Sequence, residues 1–409
     1  MASWCHRCGV SGGRVGSEWE WSGCSCSVLP LPPHPQVVFS ACDLGVFDVI
    51  AASGTADVGA IARATGSSPC HTRLLLEACV ELGMLRVGPD GTFANTRLAS
   101  SLLVAGSPRC QRHMMLYLAG TPYRCWGQLG RAVREGRSQY GRAVGVDTEE
   151  PFAAIYRSEP ERLLFMRALQ ETWSVCGGHV LTAFDLSPFR VVCDVGGGSG
   201  ALACELARLY PGSDVTVFDT PEVIAAAQAP PFQSPGIEPV VHFLGGDFFR
   251  SRLPAADLYI LARVLHDWTD EACAGLLGRI SMAGTALLLV EALMPPEGDP
   301  AGPVRLPALL LSLNMAVQTR GRERTEAEYQ ALTAGAGFSH FRVVRTRGPY
   351  ATMPRGRSRR SYGRGGDAHC LGDITAQPHT HSPCTSAPFP PPRPLIIQRP
   401  TGSRHTLGD

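Results

Sequence analysis

Ten residues, Val191-Val192-Cys193-Asp194-Val195-Gly196-Gly197-Gly198-Ser199-Gly200, constrain this chain more than any others. A short apolar run carrying an acid passes directly into a glycine cluster. The stretch Ala201 to Leu209 behind it repeats its apolar residues at helical spacing. The pattern predicts a strand, a tight turn and a helix, with backbone N–H groups bare at the corner where a ligand can approach the main chain. About 25 residues on, a second apolar run, Asp214 to Phe218, ends in Asp219, where an acid accepts hydrogen bonds from a ribose diol.

Two acids around one glycine corner point to a nucleoside cofactor. The plainer reading is a glycine turn that merely lets a helix pack on a sheet, and the acid at the end of the second strand weighs against it. Gly196, Gly198 and Ala201 also fit the G-x-G-x-x-G/A pattern of dinucleotide folds, so NAD is the rival cofactor. Asp194 stands just before the glycines, where it can face the cationic methionine end of S-adenosylmethionine. Gly246-Asp247-Phe248 follows the third apparent strand, where adenine contacts are expected. These two features favour S-adenosylmethionine.

The 409 residues, 44% hydrophobic and 18% charged, suffice for two domains with proper cores. A net charge of +1 offers no field to attract nucleic acid or an anionic membrane. The apolar runs, such as Ala286 to Val290, are too short to cross a bilayer, and no signal-peptide pattern opens the chain. A cytoplasmic protein is expected. Of 15 cysteines, Cys5, Cys8, Cys24 and Cys26 cluster near the start, one residue tighter than a zinc ribbon; uncoordinated thiols are expected there, and small buried thiols elsewhere.

Four segments follow. Residues 1–36 lack periodicity and end in a proline run that argues against helix, so order is expected from Val37. Residues 37–182 read as a helical domain. Two short helices, Val58 to Ala64 and Pro69 to Leu82, precede a hairpin, Met84 to Val87 and Thr92 to Ala94. Ser68 is the second helix's candidate N-cap, and Leu74, Ala78 and Leu82 share one of its faces. This is a winged-helix pattern, but its second helix sets Arg73 beside Glu77 and Glu81. That is too little positive charge for DNA, and a structural or interface role fits better. Residues 183–350 alternate strands (191–195, 214–218, 240–244, 257–262, 285–290 and 341–346) with helices, a doubly wound α/β domain. Residues 351–409, rich in Arg, Gly, Pro, His and Ser, are expected to form a tail without a core.

The fourth strand runs into Leu265-His266-Asp267-Trp268. Carboxyl ends of strands face the ligand crevice in such sheets, so His266 and Asp267 are expected beside the cofactor, with Glu291 and Glu323 on neighbouring loops. No carboxylate cluster suggests a metal. These motifs, with Phe218-Asp219, Gly246-Asp247-Phe248 and Glu323-Arg324-Thr325, resemble the small-molecule O-methyltransferases that use a winged-helix dimerisation domain. Tyr123-Arg124-Cys125-Trp126-Gly127, Ala154 to Glu159, Leu181 to Leu186 and Leu313-Asn314-Met315 are similar to the members that methylate hydroxyindoles. The resemblance runs from about Val37 to Tyr350.

The resemblance implies a class I methyltransferase, a homodimer formed through the N-terminal domain, and a metal-independent transfer. It implies that Tyr156, Trp173, Asp219, Asp247, Phe248 and Arg263 contact S-adenosylmethionine. His266 would be the general base for a 5-hydroxyindole, with Asp267 beside it and Glu291 and Glu323 orienting the ring. Asn314 and Gln318, one helical turn apart, would address an acetamide. Phe165 and Met315 would sandwich the indole, and Tyr117 would close the pocket from the partner subunit. The chain departs from the family at both ends, and the connection between Leu277 and Leu287 is short, with Met282-Ala283-Gly284 where a proline–glycine turn is usual. The alternatives are a related enzyme for another phenol or indole, a dimeric binding protein of the same fold, and an NAD-dependent dehydrogenase.

Overall fold

The computed structural model describes residues 33–146, 151–232, 241–296, 305–346 and 348–357. The four clustered cysteines and all of the tail beyond 357 lie outside them.

The first strands, β1 (Leu85–Val87) and β2 (Phe93–Asn95), pair as the expected hairpin behind helices Val58–Thr65 and Pro69–Glu81. Asp57 caps the first helix by accepting from the Ala60 N–H at 2.8 Å, and left-handed Gly66 ends it. Ser68 occupies the N-cap of the second without making a capping bond. This helix turns Thr72, Leu76 and Cys79 inward, against Phe47, Ile50, Ile61, Leu85 and Phe93, and leaves Leu74 60% exposed. The chain becomes helical at Pro33, earlier than expected, in Pro33–Asp43. Its prolines fall in the first turn, where the N–H groups have no intrahelical partner to lose.

The second unit is one sheet. β3 (Val191–Val195), β4 (Asp214–Asp219), β5 (His242–Gly245), β6 (Ala256–Ala262) and β7 (Gly284–Glu291) are parallel neighbours in the order β5-β4-β3-β6-β7. Their near-continuous apolar runs follow from burial on both faces. Along β6 and β7, Tyr259, Leu261, Leu287 and Leu289 point to one face, under helices Asp270–Ala283 and Glu326–Gly335. Leu258, Ile260, Ala286, Leu288 and Val290 point to the other, under helices Glu159–Leu181 and Ala201–Leu209. The short connection before β7 needs no loop. Helix Asp270–Ala283 passes straight into the strand at Gly284, which lies flush on the Tyr259 ring where a Cβ would collide. Among the described residues no single helix is long and apolar enough to cross a membrane.

Two short pieces, β8 (Leu293–Met294) and β9 (Arg324–Thr325), pair in parallel. The expected sixth strand over 341–346 is a correction. Among the described residues β11 (Val344–Arg345) alone forms there, with β10 (Phe338–Ser339) just before it. Both pair antiparallel with β12 (Ala351–Arg357), which runs antiparallel to β7 inside the sheet. The boundary of the tail at 351 is therefore also corrected. An open β7 ladder recruits this segment, and Ala351 and Met353 fill the core despite the arginines and glycine around them. Pro354, an unusual residue inside a sheet, sits between the β11 pairs and the β10 pairs of its strand.

Candidate active site

All five parallel strands end at one edge, and each delivers a polar group there. At the end of β3, Gly196 and Gly198 adopt φ of +74° and +57°, a turn that side chains resist. The Gly198 N–H donates to Asp219 Oδ2 at 2.9 Å and the Thr220 N–H to Oδ1 at 2.7 Å, so the acid closing β4 is fixed against the glycine turn. Burial lifts the Asp219 carboxyl to about 6, against the pull of those two N–H groups.

Asp194 is 1% exposed; burial first, and Asp219 second, push its carboxyl up to about 7. Its Oδ2 has no hydrogen-bond partner. A buried acceptor left unmatched costs about 1–3 kcal/mol, which a cationic or N–H-bearing ligand would recover. A Cβ on Gly197 would lie 2.7 Å from that same oxygen, and one on Gly246 would lie 2.5 Å from Phe218 Cζ, so glycine alone leaves this space. Phe248 borders the turn, 3.8 Å from the direction in which a Gly196 Cβ would project. Asp247, after β5, accepts from the Phe249 N–H at 2.8 Å and faces Arg250 at 3.6 Å. This donor and acceptor set fits S-adenosylmethionine: an unmatched acid for its ammonium and sulfonium, and a second acid for its ribose.

A second cluster of polar groups follows β6 and β7. Arg263 takes a left-handed φ of +61°, unusual for a residue with a side chain, and its N–H donates to Val290 O at 2.9 Å. Glu291, at the tip of β7 and fully buried, accepts from the Val264 and Leu265 N–H groups at 3.1 and 2.8 Å. The loop carrying His266 is thus pinned from beneath. Pairing of β8 with β9 brings Glu323 alongside Glu291. Glu323 Oε1 then meets His266 Nδ1 at 3.2 Å and Arg263 Nη1 at 2.8 Å. Asp267 Oδ2 lies 3.6 Å from His266 Nε2.

Burial raises Glu323, but Arg263 and His266 outweigh it and hold the acid at about 2. For Glu291 burial wins, lifting it to about 7 against His266 and Arg263. Burial and Arg263 press His266 down, yet Asp267, Glu291 and Glu323 together raise it above its ordinary value. The geometry agrees. Nδ1 faces a carboxylate and Nε2 faces the Arg263 carbonyl at 3.1 Å, and both are pure acceptors, so both ring nitrogens carry protons in this conformation. To act as a base, His266 must lose the Nε2 proton and exchange the Arg263 carbonyl for an acceptor hydroxyl. Side-chain atoms of His266, Glu291 and Glu323 lie within 4.8 Å of one another, a set able to ligate a metal. Here Arg263, 3.9 Å from Glu291 and hydrogen-bonded to Glu323, supplies the positive charge.

The acceptor side is aromatic. Tyr117, Tyr156 and Phe165 form a run of edge-to-face contacts, 5.3 Å from Tyr117 to Phe165 and 6.0 Å from Phe165 to Tyr156. Burial, then Asp219 and Asp267, drive the Tyr156 hydroxyl well above its ordinary value. Helix Arg305–Gln318 contributes Asn314, buried Met315 and Gln318. The Trp126 indole N–H donates to Asn314 Oδ1 at 3.0 Å, and the Tyr117 hydroxyl to Gln318 Oε1 at 3.4 Å.

Tyr117 requires a correction. It was expected from the partner subunit, yet it reaches Gln318 and Phe165 of its own chain, because helix Arg112–Gly120 packs along helix Glu159–Leu181. Arg263 was expected at the cofactor; its guanidinium is engaged with Glu323 and lies 5.1 Å over the Tyr350 ring, which in turn tilts on Trp173 at 5.7 Å. Three supporting residues had no sequence signal beyond their motifs. Arg324, almost wholly buried, donates to the Leu265 and Trp268 carbonyls on either side of His266, both at 2.8 Å, and to Asp270. Trp126 orients Asn314. Gly321 lies so close to the His266 carbonyl that any Cβ would strike it.

Comparison with known proteins agrees with this construction. Residues 126–339 match the O-methyltransferase domain and residues 34–105 the O-methyltransferase dimerisation domain. The chain is 64% identical over 329 residues to acetylserotonin O-methyltransferase of Mus musculus, covering 78% of this chain and 84% of that protein. It is 52% identical over 319 residues to the Homo sapiens protein of that name, covering 76% and 90%. The crystal structure of human N-acetylserotonin methyltransferase in complex with SAM superposes with a TM-score of 0.77 at 47% identity, covering 83% of this chain and all of that one. With its glycine corner, its paired acids and its buried histidine in place, the chain belongs to the O-methyltransferase family of which the acetylserotonin O-methyltransferases are members.

Proposed function

We propose that the chain transfers the methyl group of S-adenosyl-L-methionine to the 5-hydroxyl of N-acetylserotonin, giving melatonin and S-adenosylhomocysteine. The observation that carries the proposal is the placement of His266. It is gripped by Glu323, next to the glycine corner with its unmatched Asp194, and it shares that strand edge with an aromatic pocket holding Asn314 and Gln318. The cofactor supplies an electrophilic methyl on a sulfonium.

This chain's residues do the rest. Asp194 and Asp219 hold the ligand's polar ends, and the aromatic rings exclude water. His266 takes the hydroxyl proton at Nε2 while Glu323 stabilises the resulting imidazolium through Nδ1. A phenol-like hydroxyl with a pKa near ~10 is ionised in only about one molecule in a thousand at neutral pH, a deficit of roughly 4 kcal/mol that a placed base offsets. Alignment of the reacting atoms supplies most of the remaining acceleration.

The same reading makes the protein a homodimer through its N-terminal, winged-helix-like unit, working in the cytoplasm. Exposed Leu44, Leu74, Val87 and Leu98 on the segment that matches the dimerisation domain support the first part. Buried thiols such as Cys42, Cys79 and Cys193, pushed up by burial, support a reducing compartment. The test is methyl transfer from labelled S-adenosylmethionine by the purified full chain, with N-acetylserotonin beside a panel of other hydroxyindoles and phenols. Turnover of another member with N-acetylserotonin inert would replace the substrate. No turnover of any member, despite binding of S-adenosylhomocysteine, would leave a binding protein.

A further inference from the structure

The carboxamide of Asn314 could in principle offer either its oxygen or its N–H2 group to a ligand, and the two choices recognise opposite chemistry. Trp126 decides between them. An indole nitrogen is a donor only, so a bond of 3.0 Å to Asn314 can be made only with Oδ1. The amide orientation is therefore fixed by the chemistry of its neighbour, and Nδ2, with two N–H donors and no partner among the described residues, is the end left for a ligand.

Gln318, one turn on, is more committed. Its Oε1 accepts from the Tyr117 hydroxyl and its Nε2 donates one N–H to the Asn314 main-chain carbonyl, which leaves a single N–H, a donor like Asn314 Nδ2. Beside the rings of Tyr117, Tyr156 and Phe165, helix Arg305–Gln318 therefore carries a carboxamide whose free end is a donor only. Trp126 itself packs among Leu129, Phe152, Tyr156 and Phe165 around buried Cys125 and Val317, which holds its indole in place.

We infer that Trp126 is a positioning residue that sets acceptor specificity: by pinning Asn314 Oδ1, it turns the carboxamide N–H2 towards the ligand and selects a side chain ending in a carbonyl over one ending in a free ammonium. A carbonyl accepts those N–H groups; an ammonium meets them donor to donor and loses its own hydration without compensation. The inference rests on the proposed function and specifies how that site tells an N-acylated indolethylamine from its parent amine.

The experiment compares Trp126→Phe with wild type on N-acetylserotonin and serotonin. The phenyl ring keeps most of the packing and removes only the N–H donor. The selectivity ratio in kcat/KM should fall by about tenfold, the worth of one neutral hydrogen bond, carried by KM for N-acetylserotonin with kcat within about twofold. Asn314→Asp, which offers an acceptor in place of the N–H2 group, should shift preference towards the amine. Calorimetric titration with N-acetyltryptamine and with tryptamine, in the presence of S-adenosylhomocysteine, reads the same discrimination without turnover. If the wild-type chain methylates neither substrate, the functional reading fails, and the titration still decides the role of Trp126. Equal loss of both ligands in Trp126→Phe, or an unchanged selectivity ratio, would overturn the inference and leave the indole as packing alone.

Discussion

Glu323 grips His266 through an Oε1–Nδ1 contact of 3.2 Å, from a segment 57 residues further along the chain. The same oxygen receives Arg263 at 2.8 Å, so one buried carboxylate holds both the imidazole and the cation next to it. That contact orients the ring, while Asp267 and Glu291 add to the charge that favours its protonated form.

His266→Ala should lower methyl transfer by about 100- to 10,000-fold, the usual worth of a placed general base. Binding of S-adenosylhomocysteine, measured by calorimetry, should stay within a few fold, because Asp194 and Asp219, proposed to hold the cofactor, are on β3 and β4. Wild-type turnover in that variant would sink the proposed base.

The pH profile should report the same histidine. Only the neutral ring accepts a proton, so kcat should rise with pH through an inflection above the ordinary histidine value of 6.5. Glu323→Gln removes a charge that raises it and should move the inflection down. The stability bonus from protonated His266 is complete below 6.5 and is lost as pH rises through the raised value. The bonus from Glu323, held at about 2, is present above 4.5 and is lost as pH falls from there towards 2. The destabilisation by Glu323→Gln in urea melts should therefore shrink below pH 4.5, and a constant penalty down to pH 2 would contradict the assignment.

Asp194, lifted to about 7, is partly protonated near neutrality. A ligand that brings a cation to its unmatched oxygen should expel that proton. Calorimetry of S-adenosylhomocysteine binding at pH 7, in buffers of different ionisation enthalpy, should show release of a fraction of a proton. Asp194→Asn should abolish the release and weaken binding by about tenfold or more. Identical proton release in the variant would assign it elsewhere.

Arg355 is the one prediction in which a substitution should help. The side chain is 2% exposed, lies 3.3 Å over the Phe341 ring and donates to the Tyr329 carbonyl at 3.4 Å, with its Nε unpaired among the described residues. Burial pulls the guanidinium down to about 9. Arg355→Leu should stabilise the fold by about 1–2 kcal/mol at pH 7, visible as a higher Tm. A lower Tm would mean that the stacked cation stabilises β12.

The sequence by itself determined the glycine corner, the acids ending β3 and β4, the parallel strands and the presence of His266 at a strand's carboxyl end. Each is a local matter of residue type and spacing, which backbone geometry and two-sided burial translate directly into structure. The start of the first helix and the extent of the tail were misread for an equally physical reason. Proline run and arginine run carry strong local preferences, while a first helical turn needs no N–H donors and an open β7 edge recruits whatever strand can reach it.

What only the tertiary structure decided are relations between distant segments. The pairing of β8 with β9 delivers Glu323 to His266. The packing of two helices brings the Tyr117 hydroxyl to Gln318 of its own chain, and the Trp126 indole N–H reaches Asn314 Oδ1. Such relations depend on which surfaces close against each other, and a distance of 3 Å between residues far apart in the chain leaves no trace in the spacing of either.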